Sequence, residues 1–598
     1  MYRAPLKDIQ FTLDEVVGAQ ALVGCPELAE YSSELAASVL EEAARLAQSV
    51  LDPLYRSADE EGAHWSAAGV RTAAGFKEAY RQYCAGGWTQ LRASPDYGGQ
   101  GMPRLLVSAV EEIFASANLA FRMCPMLTGG AIEAISAVGS QAQRDLYLPR
   151  MVRGEWTGTM NLTEPQAGSD LAQVRTRAVA QGDHFLIKGQ KIFITYGEHD
   201  FTENIVHLVL ARIEGAPPGT RGISLFIVPK FLVNPDGSLG ARNDVQCVSI
   251  EHKLGIRASP TCTMIYGQGA GAVGYLLGEP NHGLEYMFIM MNAARLSVGL
   301  EGYSVAERAY QQALEWARTR VQGRPRLGKP IDAAQPLAIQ YHPDVHRMLL
   351  TMKSHIEAMR HLALYTAAEL DVGHAHEDPA RRVSAQARGE LLIPIVKGWC
   401  TESGFELASL GIQVHGGMGF IEETGAAQPL RDARIGAIYE GTTGIQAGDL
   451  VGRKLARDGG QAFRALATDI HRELAGLRGA QAPVAQIARA ADEALRTLEA
   501  VIEELLGPMG ADAGVAAAVA VPLLKMAGLT LGAWLHARAA HRAQARLAEG
   551  AVDAIFLKAK LETARFYVEN LLPQALALNA IVRSGAGSII ESDPTHLT

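Results

Sequence analysis

The spacing of apolar residues changes twice along this chain, and the order of those changes limits its fold more than any other feature. Up to about Gly154 the spacing is helical: Ser32 to Leu54 is rich in Glu, Ala and Leu, and Leu105 to Ser136 repeats the pattern. A turn-rich loop, Ser94-Pro-Asp-Tyr-Gly-Gly-Gln-Gly, lies between them. After Gly154 short β-type runs take over. His184 to Thr195 reads as two strands around a Lys-Gly-Gln turn, followed by Ile205 to Ile213, Gly222 to Pro229 and Thr261 to Tyr266. With no helical pattern among them, these runs predict an antiparallel β domain. From Leu284 the helical period returns: Met287, Met291, Ala294 and Val298 share one face of a long helix reaching toward Arg320. Helices are also expected over His346 to Leu370 and Arg388 to Leu410, and a region high in Ala, Leu, Arg and Glu follows Lys454. The order is helical, β, helical, helical, with no repeat of fixed period beneath it.

Length and composition narrow the class. The 598 residues allow about four units at roughly 150 residues each. A chain that is 48% hydrophobic and 20% charged can bury sizeable cores, which excludes disorder as the dominant state. Lys and Arg total 55 against 64 Asp and Glu, a net charge of -9 without a long basic run, so nucleic acid is excluded as the expected partner. Cysteines at 25, 84, 124, 247, 262 and 400 form no Cys-x-x-Cys pair, and no metal site or disulfide framework is expected. The start, Met1-Tyr-Arg-Ala-Pro-Leu-Lys-Asp, lacks the apolar core of a secretory signal. The most apolar stretch, Val515 to Leu535, is interrupted by Pro522 and Lys525 and reads as a buried helix rather than a membrane span. A cytoplasmic protein without integral membrane association is expected.

Several patterns carry no chemistry. Gly269-Ala-Gly271-Ala-Val-Gly274 has dinucleotide-binding spacing, but Tyr-Leu-Leu-Gly-Glu-Pro follows it where a helix should open, so a tight loop is expected. Asn161-Leu-Thr163 matches a glycosylation sequon that has no meaning in a cytosolic chain. There is no Walker loop, no His-Glu-x-x-His and no Gly-x-Ser-x-Gly.

Three segments carry more. Met160-Asn-Leu-Thr-Glu-Pro-Gln-Ala-Gly-Ser-Asp170 offers the hydroxyls of Thr163 and Ser169 beside Ala167-Gly168, where a ligand can approach the backbone closely. That suits a polar heterocycle or a phosphate, and equally a structural turn. Gln413-Val-His-Gly-Gly-Met-Gly-Phe420 can face its amides toward an anion, or can be a helix C-cap and turn. In Ile438-Tyr-Glu-Gly-Thr-Thr-Gly-Ile-Gln446 a lone glutamate has few charges around it, a setting that suits a general base.

Taken together and in order, these segments make the chain resemble the acyl-CoA dehydrogenase family from Gly24 to about Leu455. The resemblance rests on Thr163-Glu-Pro-Gln-Ala-Gly-Ser-Asp170, Lys191-Ile-Phe-Ile-Thr195, Arg295, Arg320-Val-Gln322, Gln413-Val-His-Gly-Gly417 and Ile438-Tyr-Glu-Gly-Thr442. Tyr2-Arg-Ala-Pro-Leu-Lys-Asp, Phe11-Thr-Leu-Asp-Glu-Val and Met290-Met-Asn-Ala-Ala-Arg-Leu-Ser-Val-Gly299 look like its long bacterial branch with a C-terminal extension. It implies an α+β, mainly α fold: N-terminal helical domain, central antiparallel, barrel-like β domain, C-terminal helical bundle and an additional C-terminal helical domain. The expected boundaries are an N-terminal extension over 1–36, then 37–155, 156–282, 283–457 and 458–598.

The chemistry the resemblance implies is α,β-dehydrogenation of an acyl-CoA thioester to the trans-2-enoyl-CoA, with FAD as cofactor and electron-transferring flavoprotein as partner. Glu440 is the implied base. Some members carry that glutamate on the long helix beside the position of Arg295, where this chain has Ala294. In the family the thioester oxygen is held by a flavin ribityl hydroxyl and the backbone N–H of the base.

Leu162, Thr163, Ser169, Phe193, Thr195 and Thr442 are implied FAD contacts, with phenylalanine at 193 where the family usually has tryptophan. Arg320, Gln322, Gln413 and Gly417 would reach the FAD of a neighbouring subunit, which implies an oligomer. Ser169, Asn292, Arg295 and Gly441 are implied substrate contacts, Asn292 replacing a common aspartate. Gly323-Arg-Pro-Arg-Leu-Gly328 departs from the family's short turn by an insertion. The C-terminal extension is expected to cover the surface that shorter relatives use to form tetramers, leaving a homodimer. An acyl-CoA oxidase is the alternative on the same fold, disfavoured by the intact motifs. A flavin-bound DNA-binding relative is disfavoured by the acidic balance.

Overall fold

The computed structural model describes residues 1–324 and 337–597, and the chain divides into two compact units. Helices flank a central run of strands, so the mainly helical α+β architecture expected from the sequence is present. The first unit comprises Ala43–Met102 and Ala117–Ser297, with Met1.

Its centre is a sheet of eight strands: β1 (Trp156–Asn161), β2 (Arg177–Gln181), β3 (His184–Thr195), β4 (Asn204–Ile213), β5 (Ser224–Pro229), β6 (Val245–Ile250), β7 (Thr261–Tyr266) and β8 (Ala272–Leu276). The order is β6-β7-β3-β8-β5-β4-β1, and β2 pairs with both β3 and β4. The pairings β3-β8-β5-β4-β2-β3 therefore close a ring, the barrel-like feature of the domain. The sheet is mixed rather than purely antiparallel, because β1 and β2 both run parallel to β4. Period-two patterning shows which face of a strand is apolar but not the direction of its neighbour. Ile187, Val209, Phe226, Val228, Cys262, Met264 and Tyr266 form its buried core.

The predicted turn at Lys188-Gly189-Gln190 is absent: His184–Thr195 is one continuous strand. Gly189 is small for packing, since a Cβ there would lie 2.3 Å from Thr176 Oγ1. Along one edge β3 pairs first with β8 and then with β7, and the loop between those two contains Gly269 and Gly271. Asp244 accepts from both glycine amides, at 2.8 and 3.1 Å, while Gly274 sits inside β8 and opens no helix. The Arg104–Val138 helix is broken at Asn118 (φ -159°, ψ 91°), one residue from where the chain passes between units. Asn118 caps the following turn, accepting from Phe121 N at 3.1 Å.

The second unit contains Tyr2–Glu42, Pro103–Ser116 and Val298–Thr598. The Pro343–Ala375 and Pro379–His415 helices pack together, and the Gly283–Thr319 helix meets the latter at glycines. A Cβ at Gly302 would lie 2.3 Å from Cys400 O, and one at Gly404 would lie 2.2 Å from Gly302 O. Backbones can approach this closely only without side chains, which offsets the helix cost of glycine.

Beyond residue 460 the helices Gln461–Leu477, Val484–Leu506, Ala513–Ala548, Ala554–Phe566 and Pro573–Ser584 follow. Ala513–Ala548 runs on through Pro522 and Lys525 and is, among the described residues, the one helix long and apolar enough to cross a membrane. Leu523, Leu524, Leu529, Leu531 and Leu535 are buried within this unit. Asp8 of the N-terminal extension meets Lys560. Lys560 lies 3.1 Å from Glu357, which also pairs with Lys353 at 2.9 Å. This charge cluster ties the two extensions to the Pro343–Ala375 helix.

Candidate active site

In the first unit the Thr163–Asp170 loop grows out of the end of β1. Leu162 is buried and Thr163 half-buried, and the turn after them closes through two 3.0 Å bonds between the backbones of Glu164 and Ala167. An ion pair lies beneath it. Lys191, fully buried on β3, donates to Leu162 O at 2.9 Å and to Glu164 Oε1 at 2.8 Å. Glu164 also accepts from Thr176 Oγ1 at 2.6 Å and Arg175 N at 2.7 Å. Burial pushes the Glu164 carboxyl up, but the ammonium and these donors outweigh it and bring the pKa down to about 2. Burial lowers Lys191 to about 8 against the pull of Glu164. The carbonyl of Thr163 accepts from Ile192 N at 2.9 Å, so the loop and the end of β3 move as one piece.

That end presents an unusual residue. Phe193 has φ +61° and is 58% exposed, a left-handed aromatic inside a strand whose neighbours Lys191 and Ile194 are buried. Such a backbone angle is costly for a residue with a Cβ, and the outcome here is a flat ring held outward. Thr195 is half-buried, while Gly168 and Ser169 are exposed. A Cβ at Gly168 would meet nothing within 4 Å, so the loop has open space at its backbone. An exposed ring face, hydroxyls and accessible amides fit a flat polar heterocycle carrying phosphates, which is the chemistry of FAD. On the Gly283–Thr319 helix Asn292 is half-buried and Arg295 buried, its guanidinium 5.8 Å from the Phe288 ring centre.

In the second unit Glu440, Gly441 and Thr442 share one turn between the Arg434–Ala437 turn and the Thr443–Asp449 helix. Glu440 has φ +53° and Gly441 φ +91°. Thr442, exposed, caps that helix by accepting from Ile445 N at 3.3 Å. Tyr439 donates its hydroxyl to Glu301, which is buried on the Gly283–Thr319 helix. Thr443 donates to Glu402 Oε1 at 2.6 Å.

The Gln413–Phe420 segment is a helix end: Gln413 is in the last turn and Gly416, at φ +63°, is the C-cap. Gly417 follows, exposed, with no atom within 4 Å of a notional Cβ. Arg320 and Gln322 are exposed, and the Arg320 carbonyl accepts from Ile339 N at 2.8 Å. The Gly323–Gly328 insertion lies largely outside the described residues.

Sequence reasoning singled out Glu440 as a candidate but missed the side chains around its turn. Lys397 and Gln446 are both fully buried and donate to its carbonyls. The signal was available, because Lys397 is the only charge between Leu391 and Cys400.

Family models match most of the chain in sequence order. They are the acyl-CoA dehydrogenase N-terminal domain at residues 33–155, the middle domain at 159–268, the C-terminal domain at 281–455, and the acetyl-CoA dehydrogenase C-terminal-like domain at 465–593. The chain belongs to the acyl-CoA dehydrogenase family and is an oxidoreductase of that class. It is 46% identical to the 3-methylmercaptopropionyl-CoA dehydrogenase of Ruegeria pomeroyi, over 98% of this chain and 99% of that protein. It is 34% identical to the broad-specificity linear acyl-CoA dehydrogenase FadE5 of Mycobacterium tuberculosis, over 99% of each. The Bacillus anthracis acyl-CoA dehydrogenase solved in complex with FAD aligns at TM-score 0.74 over 100% of this chain and 94% of that one; at 20% identity this speaks for the fold.

Proposed function

We propose that this enzyme is an FAD-dependent acyl-CoA dehydrogenase in which the Glu440 carboxylate takes the α proton of the acyl thioester. The observation that carries the reading is the Tyr439–Thr442 turn, where a glutamate is kept at φ +53° next to a glycine at φ +91°. A strained backbone retained at a carboxylate supports a role in chemistry rather than in packing. When bound, FAD supplies the acceptor for the hydride that leaves the β carbon.

The chain's own residues do the rest. Glu440 receives the α proton while its backbone N–H donates to the thioester oxygen, which gathers negative charge as that proton leaves. Leu162, Thr163, Ser169, Phe193, Thr195 and Thr442 would hold the cofactor. Arg320, Gln322, Gln413 and Gly417 would reach the cofactor of a second copy, so the working unit is an oligomer, and a homodimer if the C-terminal extension covers the surface that shorter relatives use to form tetramers. Ser169, Asn292, Arg295 and Gly441 would line the acyl-CoA path. Electrons then pass to an electron-transferring flavoprotein.

The names of the two relatives set the first substrates to try, the methylthiopropionyl and linear acyl thioesters. Purified enzyme should be yellow and should bleach when given the acyl-CoA anaerobically. Glu440→Gln should retain FAD and lose roughly 10²–10⁴-fold in turnover, and a parental rate would refute the assignment. Oxygen uptake with peroxide release in the absence of any dye would replace the flavoprotein acceptor with oxygen.

A further inference from the structure

The Tyr439–Thr442 turn has a backbone problem that its own residues do not solve. Glycine reaches φ +91° freely, but a glutamate at φ +53° is held in a region its Cβ disfavours. A residue persists there only when its surroundings over-determine it.

Two buried side chains from outside the turn do so. Lys397, on the Pro379–His415 helix, donates from Nζ to Gly441 O at 2.5 Å. Gln446, on the Thr443–Asp449 helix, donates from Nε2 to Glu440 O at 3.0 Å and to Gly441 O at 3.4 Å. Both donors are 0% exposed. The carbonyls of two successive left-handed residues are thus tied to two different helices. A Cβ at Gly441 would lie 2.7 Å from Gln446 Nε2, so the glycine is also what lets that amide come close.

Placing an ammonium in the apolar run Leu391–Cys400 is expensive, and a helix there needs only another aliphatic residue to pack. A charged donor makes the stronger hydrogen bond and brings positive charge to the peptide beside Glu440.

We propose that Lys397 and Gln446 are the positioning residues for α-proton abstraction: they clamp the carbonyls of 440 and 441 and so fix the turn from which the Glu440 carboxylate and N–H project. The inference rests on the reading of Glu440 as the base. A loosened turn misplaces both groups, and misplacement by about 1 Å costs on the order of 10²-fold in rate.

The test compares Lys397→Met, Gln446→Met and Glu440→Gln as FAD-loaded enzymes with an acyl-CoA substrate. Both clamp variants should lose roughly 10- to 100-fold in kcat, with KM and FAD content within about twofold of the parent. Lys397→Met should also move the acidic limb of the kcat profile upward, because it removes a cation. Gln446→Met, which removes only a neutral amide, should leave that limb in place. A folded, loaded Lys397→Met enzyme with parental kcat and acidic limb overturns the inference. If that variant fails to load FAD, Gln446→Met decides: a fall in kcat supports the clamp and a parental kcat overturns it. An inactive Glu440→Gln beside clamp variants at parental rate defeats the positioning alone, whereas a fully active Glu440→Gln defeats the base reading and the clamp with it.

Discussion

Replacing Glu164 with glutamine tests whether the Thr163–Asp170 loop is held by charge. Glu164 is 3% exposed and Lys191 0%, and their nitrogen and oxygen lie 2.8 Å apart. A carboxyl at about 2 instead of the ordinary 4.5 corresponds to ~3 kcal/mol of stability at neutral pH. Because the folded value is depressed, this contribution is complete above about pH 4.5 and is lost as the pH falls through about 2. Breaking a buried pair on one side costs roughly 3–5 kcal/mol, which agrees. The amide would also turn an NH2 toward donors: Oε1 accepts from Lys191 and Thr176, and Oε2 from Arg175 N and Gln166 Nε2 at 2.7 Å each. Glu164→Gln should therefore unfold its domain ~3 kcal/mol earlier at pH 7, and the gap should narrow by about 2 kcal/mol at pH 3. Urea titrations followed by far-UV dichroism and flavin fluorescence read both numbers. A gap of the same size at both pH values would show that the charge is not what holds the loop.

Two further predictions concern other parts of the chain. His471 bonds Asp492 at 2.5 Å and Glu499 at 2.6 Å; burial lowers its pKa, but the two carboxylates outweigh this and raise it above 6.5. Its stabilisation should be complete below pH 6.5 and be lost as the pH rises through the raised value, so His471→Gln should flatten the urea midpoint of this region between about pH 6 and pH 9. Gly189→Ala places a Cβ 2.3 Å from Thr176 Oγ1 and should cost ~1–3 kcal/mol by thermal unfolding. An unchanged melting temperature would mean that the chain at Gly189 can open into the predicted turn.

The class of fold was legible because a hydrophobic period is a local property. Met287, Met291, Ala294 and Val298 could be placed on one buried face from spacing alone, and all four are buried. The strands were legible as runs, but their partners were not. Neither the parallel pairing of β1 with β4 nor the closure of the ring through β2 leaves a mark within any one strand. Gly189 shows the same limit in miniature: a glycine between polar residues reads as a turn until Thr176 is found packed against it.

The candidate site divides in the same way. The ordered motifs that carry the resemblance were enough to single out Glu440, the Thr163–Asp170 loop and the Phe193 strand as candidates. The left-handed backbone at Phe193 and Glu440 was not legible, nor was the hold of Lys191 on Leu162 or of Lys397 on Gly441. The two lysine bonds join residues 29 positions apart, Lys191 with Leu162, and 44 apart, Lys397 with Gly441. By itself the sequence indicated most of the helical and strand segments and which side chains are candidates for the chemistry. Only the tertiary structure decided what holds them, because a buried ammonium becomes worth its desolvation cost only where folding brings a carboxylate or carbonyl to meet it.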